Sequence, residues 1–216
     1  KVQNVYLSYT SGSNQVKVLQ GINLDVNSSE SISVMGESGS GKTSLIMLIS
    51  GLERVSSGSI IFQDRDITKL SEDELAELRR KHIGIVFQSY YLIPNYSALE
   101  NVCLTLEINK EKNIETKAKE ILARFGLKER FNNLPSQLSG GEQQRVAIAR
   151  SLVVKPSLIL ADEPTGNLDS ENSKMISDML INYVREENSS LVLVTHDDNL
   201  ASRAQRKIKI KDGKVI

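Results

Sequence analysis

The sequence predicts an α/β fold: a parallel-sheet core with an antiparallel β subdomain and a helical subdomain inserted between residues of about 90 and 150. Three observations predict it. Leu158–Ala161 and Leu191–Val194 are short apolar runs without alternation, as in parallel strands covered on both faces. The tail from Lys207 to Ile216 alternates and turns at Asp212-Gly213, a hairpin pattern. Residues 109–131 are rich in Lys and Glu but carry Ala118, Ile121, Leu122 and Phe125 at helical spacing, the mark of a helix packed on one face.

The elements follow in order. Val2 to Leu7 and Ile22 to Val26 read as strands, with a polar turn at Thr10-Ser11-Gly12-Ser13-Asn14. Ser31 to Met35 is a third strand that runs into a Gly-rich loop, and Thr43 to Ile49 is helical, with Gly51 as its C-cap. Ser71-Glu72-Asp73-Glu74 is a capping box that opens a helix from Glu72 to Lys81. His82 ends that helix, where a cation suits the dipole, and Ile83 to Phe87 makes the next strand. A further helix begins near Gly141 and runs unbroken toward Lys155-Pro156.

Composition bounds the function. At 216 residues the chain forms one large domain, or a core with a small subdomain. Its 27 basic and 27 acidic residues cancel, which argues against a nucleic-acid partner. The lone Cys103 excludes a disulfide framework and points to a reducing compartment. No apolar run approaches the ~20 residues that span a bilayer, and the N-terminus lacks the apolar core of a signal peptide. The absent starting methionine suggests a trimmed chain, and any membrane role is expected to come through a partner.

Three segments carry chemistry. In Gly36-Glu37-Ser38-Gly39-Ser40-Gly41-Lys42-Thr43, glycines let backbone N–H groups wrap phosphate oxygens, and the helix that follows adds its partial positive charge. Lys42 would neutralise the β- and γ-phosphates, and the Thr43 hydroxyl would ligate Mg²⁺. Asp162 and Glu163 end a buried strand, where acids face a nucleotide. Asp162 would hold Mg²⁺ through water, and Glu163 would orient or deprotonate the attacking water. Leu138-Ser139-Gly140-Gly141-Glu142-Gln143 precedes a helix, so the amides of Ser139 to Gly141 are expected to form a second anion site.

The set Gly36–Thr43, Gln88, Leu138–Gln143, Leu158–Glu163, Gly166-Asn167-Leu168-Asp169 and His196 resembles the nucleotide-binding domain of ABC transporters, over essentially the whole chain and in the family's order. The resemblance implies a P-loop NTPase core with a helical signature subdomain, the cofactors ATP and Mg²⁺, and a homodimer that closes on ATP. It implies that Ser139, Gly140, Gly141 and Asp169 serve ATP held by the opposite protomer. Gln88 would sense Mg²⁺ and water, and His196 would hold the γ-phosphate and Glu163 in register. Tyr9 would stack on adenine; an ordinary strand-end tyrosine is the other reading. Thr43 stands where many members have serine, and either hydroxyl ligates magnesium.

Ala161–Asp169 and Gln143–Arg150 look typical of the branch of lipoprotein-release, macrolide-export and cell-division ATPases. The stretch Lys81–Ser89, with Leu92-Ile93-Pro94, looks closest to the YbbA-type subgroup, with lipoprotein-release ATPases the near alternative. This implies an ATPase subunit at the cytoplasmic face of a bacterial inner membrane, bound peripherally to an integral permease. Tyr90, Tyr91 and Tyr96 cluster after Gln88 and are read either as subdomain packing or as the permease's docking groove near Gln88–Tyr96. A soluble ABC-type ATPase acting on ribosomes or DNA is the alternative; the single domain, the insert-free spacing and the neutral charge speak against it. A small-molecule kinase would leave Leu138–Gln143 and His196 unexplained.

Overall fold

In the computed structural model, which describes residues 1–12 and 14–216, the chain separates into two units, residues 1–79 with 190–216 and residues 80–189. The first unit begins with β1 (Val2–Ser11) and β2 (Asn14–Leu24), then β3 (Ser31–Met35) and helix α1 (Lys42–Ile49). It continues through β4 (Ser57–Phe62), β5 (Arg65–Asp66) and α2 (Glu72–His82), whose last three residues are counted with the second unit. The second unit contains β6 (Ile83–Val86), α3 (Ala98–Ile108), α4 (Ile114–Arg124), α5 (Gly140–Leu152), β7 (Leu158–Asp162) and α6 (Ser170–Glu186). The chain then returns to the first unit with β8 (Ser190–Val194), α7 (Asp198–Ala201), β9 (Arg206–Lys211) and β10 (Lys214–Val215).

In the first unit, β3 runs parallel to β8 on one side and to β9 on the other. Its residues 31–34 are buried, as a strand covered on both faces requires. The antiparallel part has the order β2-β1-β4-β5, and β9 and β10 form the tail hairpin around Asp212-Gly213. Gly213 has φ +73, and a Cβ there would lie 2.4 Å from the Val18 carbonyl, so a side chain is excluded. The first two strands are longer than expected: Thr10 pairs with Gln15 and Ser11 with Asn14, so the ladder absorbs most of the polar turn. Both strands are largely solvated there, which removes the apolar signal that marks a strand. β2 also ends at Leu24, short of Val26. Ser13 of the expected turn lies outside the described residues.

In the second unit, β6 and β7 are parallel, in the register Val86 opposite Ala161. The stretch 109–131 yields one helix, α4, bounded by two left-handed residues, Asn113 (φ +56) and Gly126 (φ +70). Ala118, Ile121, Leu122 and Phe125 are buried as the spacing predicts. The ring of Phe125 lies 6.4 Å from that of Tyr183, whose hydroxyl donates to the Leu152 carbonyl at 2.7 Å. α3 was not expected. It opens on a full capping box between Ser97 and Glu100, and the buried Asn101 supports its first turn by donating to the carbonyls of Ile93, Tyr96 and Ser97. Among the described residues no helix is long and apolar enough to cross a membrane.

Candidate nucleotide site and signature helix

The phosphate loop leaves the carboxyl end of β3 and enters α1, the strand–loop–helix order its chemistry needs. Gly41 is the N-cap of α1 with φ +102, and no side chain caps the helix start. A Cβ at Gly41 would meet Leu19 Cδ2 at 2.6 Å and the Val18 carbonyl at 3.0 Å, so both conformation and space demand glycine. The first turn of α1 has no acidic residue, which leaves its N–H groups and dipole to an anion. Lys42 is buried, and its ammonium donates to the carbonyls of Gly36 at 2.9 Å and Glu37 at 2.8 Å. The charge is thereby curled over the loop it serves. Ser40 Oγ is buried without a hydrogen-bond partner in the protein, while Thr43 is exposed.

Register brings His196 to the same end of the first unit. Val34 lies opposite Val194, so Gly36 and His196 each leave the sheet two residues later, at the carboxyl ends of adjacent parallel strands. The backbone there is fixed by the buried Thr195, whose Oγ1 accepts from the Asp197 amide at 3.1 Å. Tyr9 lies near the end of β1, opposite Val16, and is 44% exposed. Its hydroxyl donates to Glu53 at 3.1 Å; burial first and this acid second push its pKa above the ordinary value. A tyrosine tethered by its hydroxyl with an open face is suited to stacking.

In the second unit the same logic repeats. Val86 lies opposite Ala161, so Gln88 and Glu163 emerge side by side beyond the strands, with Asp162 buried as the last residue of β7. Glu163 has φ +47, an unfavourable conformation for a residue with a side chain. Gln88 Nε2 donates to Asn167 Oδ1 at 3.1 Å, and Asn167 Nδ2 donates back to the Gln88 carbonyl at 3.2 Å. A Cβ at Gly166 would lie 2.9 Å from Gln88 Nε2, so this pair closes only over glycine.

Ser139 is the N-cap of α5, in a capping box with Glu142: Ser139 Oγ accepts from the Glu142 amide at 3.2 Å, and Glu142 Oε2 accepts from the Ser139 amide at 2.8 Å. The Ser139 N–H is spent on Glu142, which leaves the Gly140 and Gly141 amides and the Ser139 hydroxyl at this helix start. Arg130 donates to the other oxygen of Glu142 at 2.8 Å and offsets an acid that would otherwise repel an anion. The Ser139 amide first, then Arg130, hold the Glu142 carboxyl below its ordinary pKa. Gly140 lies against the Tyr90 hydroxyl and Gly141 against Asn172; a Cβ would come within 3.0 Å and 2.6 Å respectively.

Asp169 has a local function that its motif does not reveal. It is the N-cap of α6, accepting from the Asn172 amide at 2.9 Å and from Asn172 Nδ2 at 2.6 Å, and these bonds lower its pKa. Gln144 and Arg150 also hold backbone beside the candidate residues, at Phe87 and Pro164 and at Tyr90 and Tyr91, although neither stands out as a site in the sequence. The available signal was position: Gln144 shares the buried stripe of Ile148 and Leu152, an unusual place for an amide.

A family model described as ABC transporter matches residues 19–166, from within β2 to the turn after Glu163. The chain belongs to the ABC transporter family. It is an ATP-binding, ATP-hydrolysing cassette. The lipoprotein-releasing system ATP-binding protein LolD of Geobacter metallireducens is 44% identical, covering 100% of this chain and 97% of that protein. LolD of Hahella chejuensis is 41% identical over 99% of this chain and 93% of its own length. Two solved structures of the cassette MJ0796 match with TM-score 0.92 over 99% of this chain and 95% of theirs. One, a dimer in a post-hydrolysis state bound to ADP and Pi, is 41% identical; the other, a dimeric bacterial ABC transporter cassette, is 42% identical. The cassette fold read from the sequence therefore holds, and the curated relatives fall in the lipoprotein-release branch.

Proposed function

We propose that this cassette closes as an ATP-bound homodimer and drives an integral membrane permease of the lipoprotein-release or export kind, bound peripherally at the cytoplasmic face of a bacterial inner membrane. The observation that carries this reading is the start of α5: two glycine amides and a serine hydroxyl at a helix N-terminus whose own acid is already paired. That arrangement is an anion site additional to the phosphate loop, and a cassette that closes in pairs uses such a site for the γ-phosphate of its partner's ATP. The likeness to LolD supports lipoprotein release as the cargo class.

Each residue then has a task. The loop amides and Lys42 neutralise phosphate charge, Tyr9 stacks on adenine, and His196 holds the γ-phosphate. The Glu163 carboxylate accepts the proton of the attacking water, Gln88 orients that water, and Asp169 acts across the dimer. Thr43, Gln88 and Asp162 would hold Mg²⁺. A hydroxyl, an amide oxygen and a carboxylate suit this hard ion, which keeps several waters and binds substrate phosphates. When bound, magnesium supplies positive charge to the phosphate oxygens. Tyr91 and Tyr96 are exposed beyond Gln88, and this segment is the permease's docking site.

The test is the mass of Glu163→Gln with and without Mg-ATP. Closure should survive while water activation is lost, so an ATP-dependent dimer with hydrolysis reduced about 100-fold or more is expected. A variant that remains monomeric with ATP bound, and hydrolyses at the normal rate, refutes the scheme.

A further inference from the structure

Gln144 lies in the interior of the second unit with none of its surface exposed. Its side-chain amide donates two hydrogen bonds, to the Phe87 carbonyl at 3.3 Å and to the Pro164 carbonyl at 2.7 Å. Phe87 is the residue before Gln88, and Pro164 is the residue after Glu163. One amide on the signature helix thus grips the backbone next to both side chains assigned to water. The same helix holds the first segment twice more: Arg150 donates to the Tyr91 carbonyl at 2.7 Å and the Tyr90 carbonyl at 3.0 Å, and the Tyr90 hydroxyl lies over Gly140.

Two further facts make this more than packing. The Gln144 Oε1 is buried with no partner, a cost that a methionine of similar length would not incur. Glu163 has φ +47 immediately before a proline, and such a conformation persists only where its surroundings over-determine it. The Gly166 amide, donating to the Glu163 carbonyl at 3.0 Å, and Gln144, donating to Pro164, brace that turn.

We propose that Gln144 is a positioning residue for ATP hydrolysis, fixing Gln88 and Glu163 in register with each other and with the start of α5. This rests on the roles proposed above for Gln88 and Glu163. Without the amide, the Glu163 turn relaxes and the carboxylate leaves its productive direction. Nucleotide held by the Lys42 loop is unaffected. A misplacement of about 1 Å lowers turnover on the order of 100-fold.

The experiment compares Gln144→Met with wild type and with Glu163→Gln. Gln144→Met should fold, bind ATP with unchanged affinity and show KM within about twofold, while kcat falls about 10- to 100-fold. Gln144→Asn, which keeps the amide on a shorter stem, should fall between. Unchanged kcat in folded Gln144→Met, with hydrolysis lost in Glu163→Gln, overturns this inference alone. Normal hydrolysis in Glu163→Gln overturns the reading beneath it. Should Gln144→Met not fold, NMR of the wild-type Gln144 side-chain amide decides. Two slowly exchanging protons, perturbed when Glu163→Gln closes on Mg-ATP, support the proposal; fast exchange, or no response to closure, overturns it.

Discussion

Lys42 and Glu163 are positioned by opposite means. Lys42 is a buried charge made tolerable by two backbone carbonyls of its own loop, so the cation is ordered before any phosphate arrives. Truncating it should weaken ATP binding about tenfold or more, since charge-assisted bonds to phosphate are lost. Calorimetric titration of Lys42→Ala with ATP checks this, and equal affinity would remove Lys42 from its role. Glu163 instead sits in a strained, braced turn. Its left-handed backbone costs of order 1 kcal/mol or more, which glycine would not incur. Glu163→Gly should therefore match or exceed wild-type stability by up to about 1 kcal/mol in denaturant melts, while hydrolysis is expected to be lost under the proposed role. A marked loss of stability would mean that the carboxylate, not the turn, needs this conformation.

At the scale of elements, α5 links capping to chemistry, and its cap responds to pH. The Glu142 carboxyl lies below its ordinary value of 4.5 because Ser139 and Arg130 stabilise its charged form. A depressed pKa gives stability that is complete above the unfolded value and is lost as pH falls through the folded one. The stability gap between wild type and Glu142→Gln should thus be present at neutral pH and shrink as acid is added below pH 4.5. Thermal melts across that range check it, and a gap constant with pH would show the charge to be idle. Much of this architecture was legible in sequence because it rests on local rules. β3 is bounded as read, and the Ser71 box and the Asp-Gly hairpin form as their patterns require. The Ser-x-x-Glu spacing that marks Ser71 also occurs at Ser97 and Ser139, and it was the signal available for α3. What stayed hidden depends on long-range partners. The outer ends of β1 and β2 lack an apolar face, and the two bonds of Gln144 join residues 57 and 20 positions away.

For the whole molecule, the central fact is that the first unit is made from both ends of the sequence while the second is contiguous. β3, which presents the phosphate loop, takes both of its neighbours, β8 and β9, from beyond residue 189. The tail hairpin also reaches back to the second strand, where the Gln20 amide donates to the Gly213 carbonyl at 2.8 Å and Gln20 Nε2 to the Asp212 carbonyl at 2.9 Å. This has a consequence for synthesis. As the chain leaves the ribosome, residues 80–189 can collapse on their own contacts, but β3, beneath the phosphate loop, lacks both of its parallel neighbours until residues 190–211 emerge. A nascent cassette thus cannot capture nucleotide early. Chains stalled with residues 1–189 exposed should fail to crosslink a photoreactive ATP analogue that chains exposed through residue 216 capture, and equal capture would refute this order of assembly. Translation itself then acts as a timer: the fuel site forms only once residues 190–211 have emerged, and chains that have not reached them cannot waste ATP.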